Sequence, residues 1–354
     1  MVGSDGTLPL PWLAEPLRQG LAQRAHALLV HGPEGVGQFE LGLTLAQAWL
    51  CEARDDASNA RRPCGVCGSC RLVQAHSHPD LLVLLPEALR ESLGWEPAAG
   101  DAEEGGSEKP GKAKPSKEIK VEAIRLAVDF AQTTSARGRG KVVLLYPAER
   151  MNRIAANTLL KTLEEPPGDA RFLLSCAAPD VLLPTIRSRC QALPLRPPPR
   201  DEAIEWLAAR GVAEPAVLLA ACGGQPLQAL QWSREGVDAR LWQQTPALLM
   251  RGETTPFMNW PLPRLLEALQ KLCHDALCVA AGGVPRYFPP GSIRASGGVA
   301  RLSAWGRDLN RIARYADHPW SAGLLVESLV EAARGALAPR VGRGGAGNSL
   351  HLRA

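Results

Sequence analysis

A short apolar run, Ala27-Leu28-Leu29-Val30, leads straight into a glycine-punctuated loop, His31-Gly32-Pro33-Glu34-Gly35-Val36-Gly37-Gln38. From Phe39 to Leu50 the apolar positions, Leu41, Leu43, Leu45 and Trp49 among them, follow a helical pattern. Strand, glycine loop and helix open a βαβ unit. That start commits this part of the chain to strands that alternate with helices, and hence to a parallel sheet with helices on its faces.

The rest of the first two hundred residues continues the alternation. Asp80–Leu85 reads as a strand, Val121–Ala131 as a helix and Lys141–Leu145 as a strand. Asn152–Glu165 reads as a helix halted by Pro166-Pro167, since proline cannot continue a helix. Strands Arg171–Cys176 and Gln191–Leu195 follow, and the run Pro197-Pro198-Pro199 marks a domain boundary. Beyond it the pattern is helical throughout. Asp201–Arg210 reads as a short helix capped by Asp201. Leu262, Leu265, Leu266, Leu269, Leu272, Cys273, Ala276, Leu277 and Ala280 lie on one face of a long helix. Leu302 to Ile312 and Leu324 to Leu337 supply two more. A chain of 354 residues has room for two to three domains at roughly 150 residues each. With aromatics at only 5%, their cores are built mainly of Leu, Ala and Val.

Two stretches fall outside this order. Residues 96–118 mix Glu, Lys, Gly and Pro with almost no large apolar side chain, a composition that cannot offset chain entropy by burial. We expect a disordered insertion there, and a disordered tail over 340–354. The balance of 40 Lys+Arg against 36 Asp+Glu gives +4, too small an excess to mark a nucleic-acid binder by charge alone. No apolar run approaches the ~20 residues of a membrane span. The opening residues have neither the basic nor the apolar region of a secretory signal, so a cytoplasmic location is expected. In a reducing cytosol, nine cysteines point to metal binding more than to disulfides.

The glycine loop has the shape of a phosphate-binding loop without its chemistry. Such loops read G-x-x-x-x-G-K-[ST]. Gly32 and Gly37 keep the spacing, but Gln38 stands in the lysine position and Phe39 in that of the metal-binding hydroxyl. The strand that carries the magnesium carboxylate in such ATPases is here followed by Tyr146 and Pro147. Glu149 comes two residues late and reads as a solvated side chain. Cys64, Cys67 and Cys70 form C-x2-C-x2-C, with Cys51 upstream at the end of the first helix. Four soft ligands in a tetrahedron make a structural zinc site, and Gly65 and Gly68 sit where the tight turns tolerate positive φ. His76 and His78 are alternative fourth ligands. The remaining cysteines, Cys176, Cys190, Cys222, Cys273 and Cys278, read as core fillers. Ser188-Arg189-Cys190 precedes a strand, and on composition alone Arg189 is a solvated charge or half of a surface ion pair.

The ordered set HGPEGVGQ, Cys51 with CGVCGSC, HSHPDL, KVVLLYPAERM, NTLLKTLEEPP, FLLSCAAPDVLLPTIRSRC and CGGQPLQAL resembles the clamp-loader subunits of the AAA+ family, in particular the delta-prime type of bacterial DNA polymerase III. The resemblance covers residues 8–235 motif by motif and the helical remainder in architecture only. It implies an α/β AAA+ domain over 1–197, with a zinc-binding excursion at 51–70, a small helical lid over 198–238 and an all-α collar over 239–339 that joins a ring. It also implies a subunit with no ATP and no intrinsic activity of its own. Its partners are gamma/tau and delta subunits, and through the complex it meets the sliding β clamp and primed DNA, with no membrane. Arg189, the arginine of the SRC motif, is then an arginine finger reaching into the neighbouring subunit's ATPase site. Two other readings compete: an AAA+ ATPase with an unorthodox loop, and a zinc-ribbon nucleic-acid binding module.

Overall fold

The computed structural model describes residues 1–53, 62–95, 115–293, 298–315 and 322–339. The bulk of the 96–118 insertion and the whole 340–354 tail lie outside them. The chain divides into two compact units, Met1–Glu202 and Ala203–Ala354.

The first unit is a five-stranded sheet: β1 (Ala27–His31), β2 (Leu81–Leu84), β3 (Val142–Leu145), β4 (Arg171–Cys176) and β5 (Gln191–Pro194), in the spatial order β2-β3-β4-β1-β5. Every pairing is parallel. The strands are near-continuous Leu and Val runs because those in the middle are covered on both faces: all four residues of β3 are buried, whereas β5, at an edge, buries only Leu193. The helices of this unit are α1 (Ala14–Ala22), α2 (Gln38–Leu50), α3 (Gly68–Gln74), α4 (Glu87–Arg90), α5 (Val121–Gln132), α6 (Arg153–Glu164) and α7 (Pro184–Arg187). On one face Ile124 and Ala127 of α5 and Leu159 and Leu163 of α6 pack against Val143, Phe172 and Leu174 of the sheet. Asn152 starts α6 by accepting the Ala155 N–H at 2.9 Å, a side-chain cap for an otherwise unpaired donor. Parallel strands and flanking helices give the α/β architecture expected for this part of the chain.

Parallel strands give the sheet two chemically distinct ends. The glycine loop leaves the carboxyl end of β1. The Ser188–Cys190 segment enters the amino end of β5, which runs in register beside β1 from Leu28↔Gln191 to His31↔Pro194. Loop and arginine therefore sit at opposite ends of the sheet.

The second unit is helical. It holds α8 (Arg200–Ala208), most of which lies past the dividing point, then α9 (Pro215–Ala221), α10 (Pro226–Arg234), α11 (Ala239–Arg251), α12 (Leu262–Ala280), α13 (Val299–Ala313) and α14 (Ala322–Leu337). Because α8 begins at Arg200, Asp201 lies in its first turn and does not cap it. α12 has the bounds its apolar periodicity predicts. α9, α10 and α11 were not separable in the sequence. Two of them are a few turns long and open on a proline, and α11 carries Pro246 inside it. Asp275, fully buried on α12, accepts the N–H groups of Arg286, Tyr287 and Phe288 at 2.9, 2.7 and 2.9 Å and so fixes the loop after the helix. Among the described residues no helix is long and apolar enough to cross a membrane.

Candidate functional site

The glycine loop keeps its turn and closes on itself. Gly35 and Gly37 have φ of 76° and 107°, the left-handed region in which a Cβ is strained. A Cβ on Gly32 would collide with the Leu195 carbonyl oxygen. Gln38 is 2% exposed, and its Nε2 donates to the carbonyl oxygens of Gly32 at 2.7 Å and Pro33 at 2.6 Å. The side chain in the lysine position is thus spent on the loop's own backbone. From outside, the Trp12 indole N–H donates to the Val36 carbonyl at 2.8 Å.

The two positions that would share a magnesium ion meet as aromatic rings. Phe39 and Tyr146 lie 5.2 Å apart between centroids, and Trp95 meets Phe39 in a T-shaped contact at 6.3 Å. Burial, followed by the carboxylates of Glu40, Glu34 and Glu149, pushes the Tyr146 hydroxyl well above the ordinary phenol value. This end of the sheet is apolar and acidic, the reverse of a polyphosphate cradle. Glu149 is not the solvated side chain expected from the sequence. Its Oε1 accepts the N–H groups of Ala177 at 2.8 Å and Ala178 at 3.3 Å, tying the turn after β3 to the end of β4.

The structure brings Cys51, Cys64, Cys67 and Cys70 together, with all four sulfurs within 4.8 Å of one another. Cys51 follows the last residue of α2 as its C-cap, and Cys67 caps the start of α3. Cys51 and Cys67 sulfurs are 3.9 Å apart, as are those of Cys64 and Cys70. A tetrahedral zinc with Zn–S of about 2.3 Å needs sulfurs about 3.8 Å apart, so the residues fit a structural metal. The Cys67 and Cys70 N–H groups point at the Cys64 and Cys67 sulfurs, each at 3.4 Å. Burial raises the Cys51 and Cys70 thiols. Burial also opposes ionisation of Cys64, but the N–H groups of Val66 and Cys67 outweigh it and bring that thiol down to about 7. Gly65 has the expected positive φ of 74°. Gly68 does not: it is the first residue of α3, pressed against Arg137.

Neither histidine joins the cluster. His76 stacks on Trp95 at 3.9 Å. His78 has both ring nitrogens engaged, Nδ1 accepting the Asp80 N–H at 3.0 Å and Nε2 facing Ser69 Oγ at 3.1 Å. Sequence reasoning missed the shell behind the sulfurs. Arg137 Nε donates to Glu52 Oε1 at 2.8 Å and to Ser69 Oγ at 3.0 Å. Asp80, fully buried, accepts from Ser135 Oγ, Ala136 N and Arg137 N at 3.0, 2.8 and 2.9 Å, with Lys141 Nζ at 3.3 Å. These residues come from four separate segments, so no local spacing announces them. Of the remaining cysteines, Cys176, Cys222 and Cys273 are buried as expected, while Cys190 and Cys278 are only half-buried.

Arg189 lies beyond the amino end of β5, half-buried, with Nη2 on the Glu164 carboxylate at the end of α6 and Nη1 donating to the Thr185 carbonyl at 2.9 Å.

The family model described as "DNA polymerase III, delta subunit" matches residues 13–199. The delta' subunit of DNA polymerase III from Pseudomonas aeruginosa is 43% identical over 62% of this chain, and the match spans 58% of that relative's length. The Escherichia coli delta' subunit is 30% identical over 78% of this chain and 80% of its own. The Escherichia coli tau subunit is 34% identical over 47% of this chain and 20% of its own. A family model over more than half the chain, together with a delta' relative aligned across most of both lengths, shows that this chain belongs to the delta' subunits of DNA polymerase III.

Proposed function

We propose that the chain is the non-hydrolysing delta'-type member of a clamp-loader ring. It completes the ring with gamma/tau-type and delta-type subunits and helps to place the sliding β clamp on primed DNA in the cytoplasm. Residues 1–197 are its AAA+ domain, 198–238 a helical lid and 239–339 the collar that holds the ring together. Cys51, Cys64, Cys67 and Cys70 hold a structural zinc, which would fix the excursion between α2 and α3 and take no part in a reaction. Arg189 is given in trans to the nucleotide of a neighbouring subunit.

The observation that carries this reading is the contact of Phe39 with Tyr146, together with Gln38 bound to its own loop. A nucleotide site needs a cation for the β/γ-phosphates and oxygen ligands for magnesium, and here those positions hold a neutral amide and two rings. The arginine lies at the far end of the sheet from this loop, so it cannot serve it. An arginine finger suits a trans role, because guanidinium is always charged and presents a planar fork of donors. The experiment is co-purification with gamma/tau and delta subunits, followed by clamp loading with and without this chain. The expected result is a ring that loads clamps only when the chain is present, while the chain alone neither retains nor hydrolyses labelled ATP. Magnesium-dependent hydrolysis by the pure chain would instead favour the ATPase reading.

A further inference from the structure

An arginine that must reach a phosphate on another subunit faces a problem of its own: in the free chain it is a long, mobile cation. Arg189 is not left so. Its backbone N–H bonds the Ile186 carbonyl at 3.1 Å, and Ile186 is fully buried, so the base of the side chain is anchored to the core. Its tip is held from two sides, by the Thr185 carbonyl and by the Glu164 carboxylate. The backbone of Glu164 is fixed in turn, as the last residue of α6 next to buried Leu163 and followed within two residues by Pro166-Pro167. Arg187, two residues before Arg189, does not compete for this acid, because it pairs with Asp180 at 2.9 Å.

From this arrangement we infer that Glu164 is the positioning residue of Arg189: it aligns the guanidinium for a phosphate presented by a neighbouring subunit. Each terminal nitrogen of arginine carries two hydrogens. One on each nitrogen is engaged, which leaves a second on each, and the side chain is 29% exposed. The guanidinium can therefore be oriented from behind while still offering donors. The Glu164 side chain is 48% exposed, and such a pair contributes little to stability, so its value lies in orientation. A misplacement of about 1 Å in a catalytic group costs on the order of 10²-fold in rate at the affected site.

This inference rests on the trans role of Arg189, and the test separates the two. Rings are assembled with R189A, E164Q, E164D and the E164Q/R189A double variant, and DNA- and clamp-stimulated ATPase is measured against ATP concentration. E164Q is expected to lower kcat by a large part of the R189A loss, with the KM for ATP unchanged. E164D, which keeps the carboxylate, recovers most of it. E164Q adds nothing in the R189A background. Gel filtration and melting of each ring control for assembly and folding. If R189A slows the ring but E164Q does not, or if E164Q costs as much with Arg189 absent, the positioning role is overturned while the finger stands. If R189A itself has no effect, the finger and its positioning fall together.

Discussion

Gln38 holds the glycine loop as a closed turn. The glycines set the backbone, and the Gln38 amide, where a phosphate-binding loop carries an ammonium, satisfies two carbonyls of the loop and is itself 2% exposed. Gln38→Ala leaves the Gly32 and Pro33 oxygens without that donor. Removing a buried partner costs about 1–3 kcal/mol, so denaturant melts should show a loss of that size with no gain in ATP binding. Gln38→Lys should likewise fail to produce turnover, because Phe39 and Tyr146 supply no metal ligand; an ATPase assay on the pure variant checks it. The glycine spacing and the misfit residues were legible in the sequence because they lie within eight consecutive positions. The contact between Phe39 and Tyr146 was not, because 107 residues separate them in the chain and only the sheet brings β1 and β3 near each other.

At the scale of elements, the four sulfurs at the α2–α3 connection gather against a polar network of Glu52, Ser69, Arg137 and Asp80. Protein purified without chelator should contain one zinc ion per chain by metal analysis, and Cys51→Ser should reduce that content because neither His76 nor His78 is placed to replace it. Apparent binding energies of structural zinc reach about 10–16 kcal/mol in small peptides, so chelation should sharply increase proteolysis within 52–70. Asp80 ties this region to the loop before β3. Desolvation acts to raise its pKa, but the N–H groups of Ala136 and Arg137, the Ser135 hydroxyl and Lys141 outweigh it and hold the carboxyl below its ordinary value of 3.8. A depressed folded-state pKa means that the stabilisation is fully present above the unfolded value and disappears as pH falls through the folded one. Asp80→Asn should therefore cost about 1.5–3 kcal/mol at neutral pH. The gap between wild type and variant should close below pH 3.8 in melts across the acid range. The C-x2-C-x2-C spacing announced the cysteine cluster, since three of its four members come from one turn. Glu52, Ser69, Arg137 and Asp80 carried no such signal, being ordinary polar residues until the fold assembles them.

For the molecule as a whole, the parallel sheet separates two features: its carboxyl end carries the closed loop and its amino end carries Arg189, which therefore cannot serve that loop. The proposed trans role is testable. Arg189→Ala should leave the isolated chain unchanged in zinc content and melting temperature. It should reduce the stimulated ATPase of an assembled ring. An arginine finger is worth roughly 10³–10⁵ in turnover at its own site, and the ring as a whole should lose only the share contributed by that interface. A mutant ring that loads clamps at the wild-type rate under limiting ATP would remove Arg189 from the reaction.

By itself the sequence determined the alternation of strands and helices, the glycine loop with Gln38 and Phe39 in place of lysine and hydroxyl, and the grouping of Cys64, Cys67 and Cys70, because each is written in residues close together along the chain. It also determined α12, whose apolar face repeats over five turns. It left Cys51 and the histidines as alternatives, read Glu149 as solvated, and showed nothing of the Arg189–Glu164 pair. Those outcomes depend on which side chains meet across strands and helix ends tens of residues apart, and only the packing of the sheet against its helices fixes such meetings.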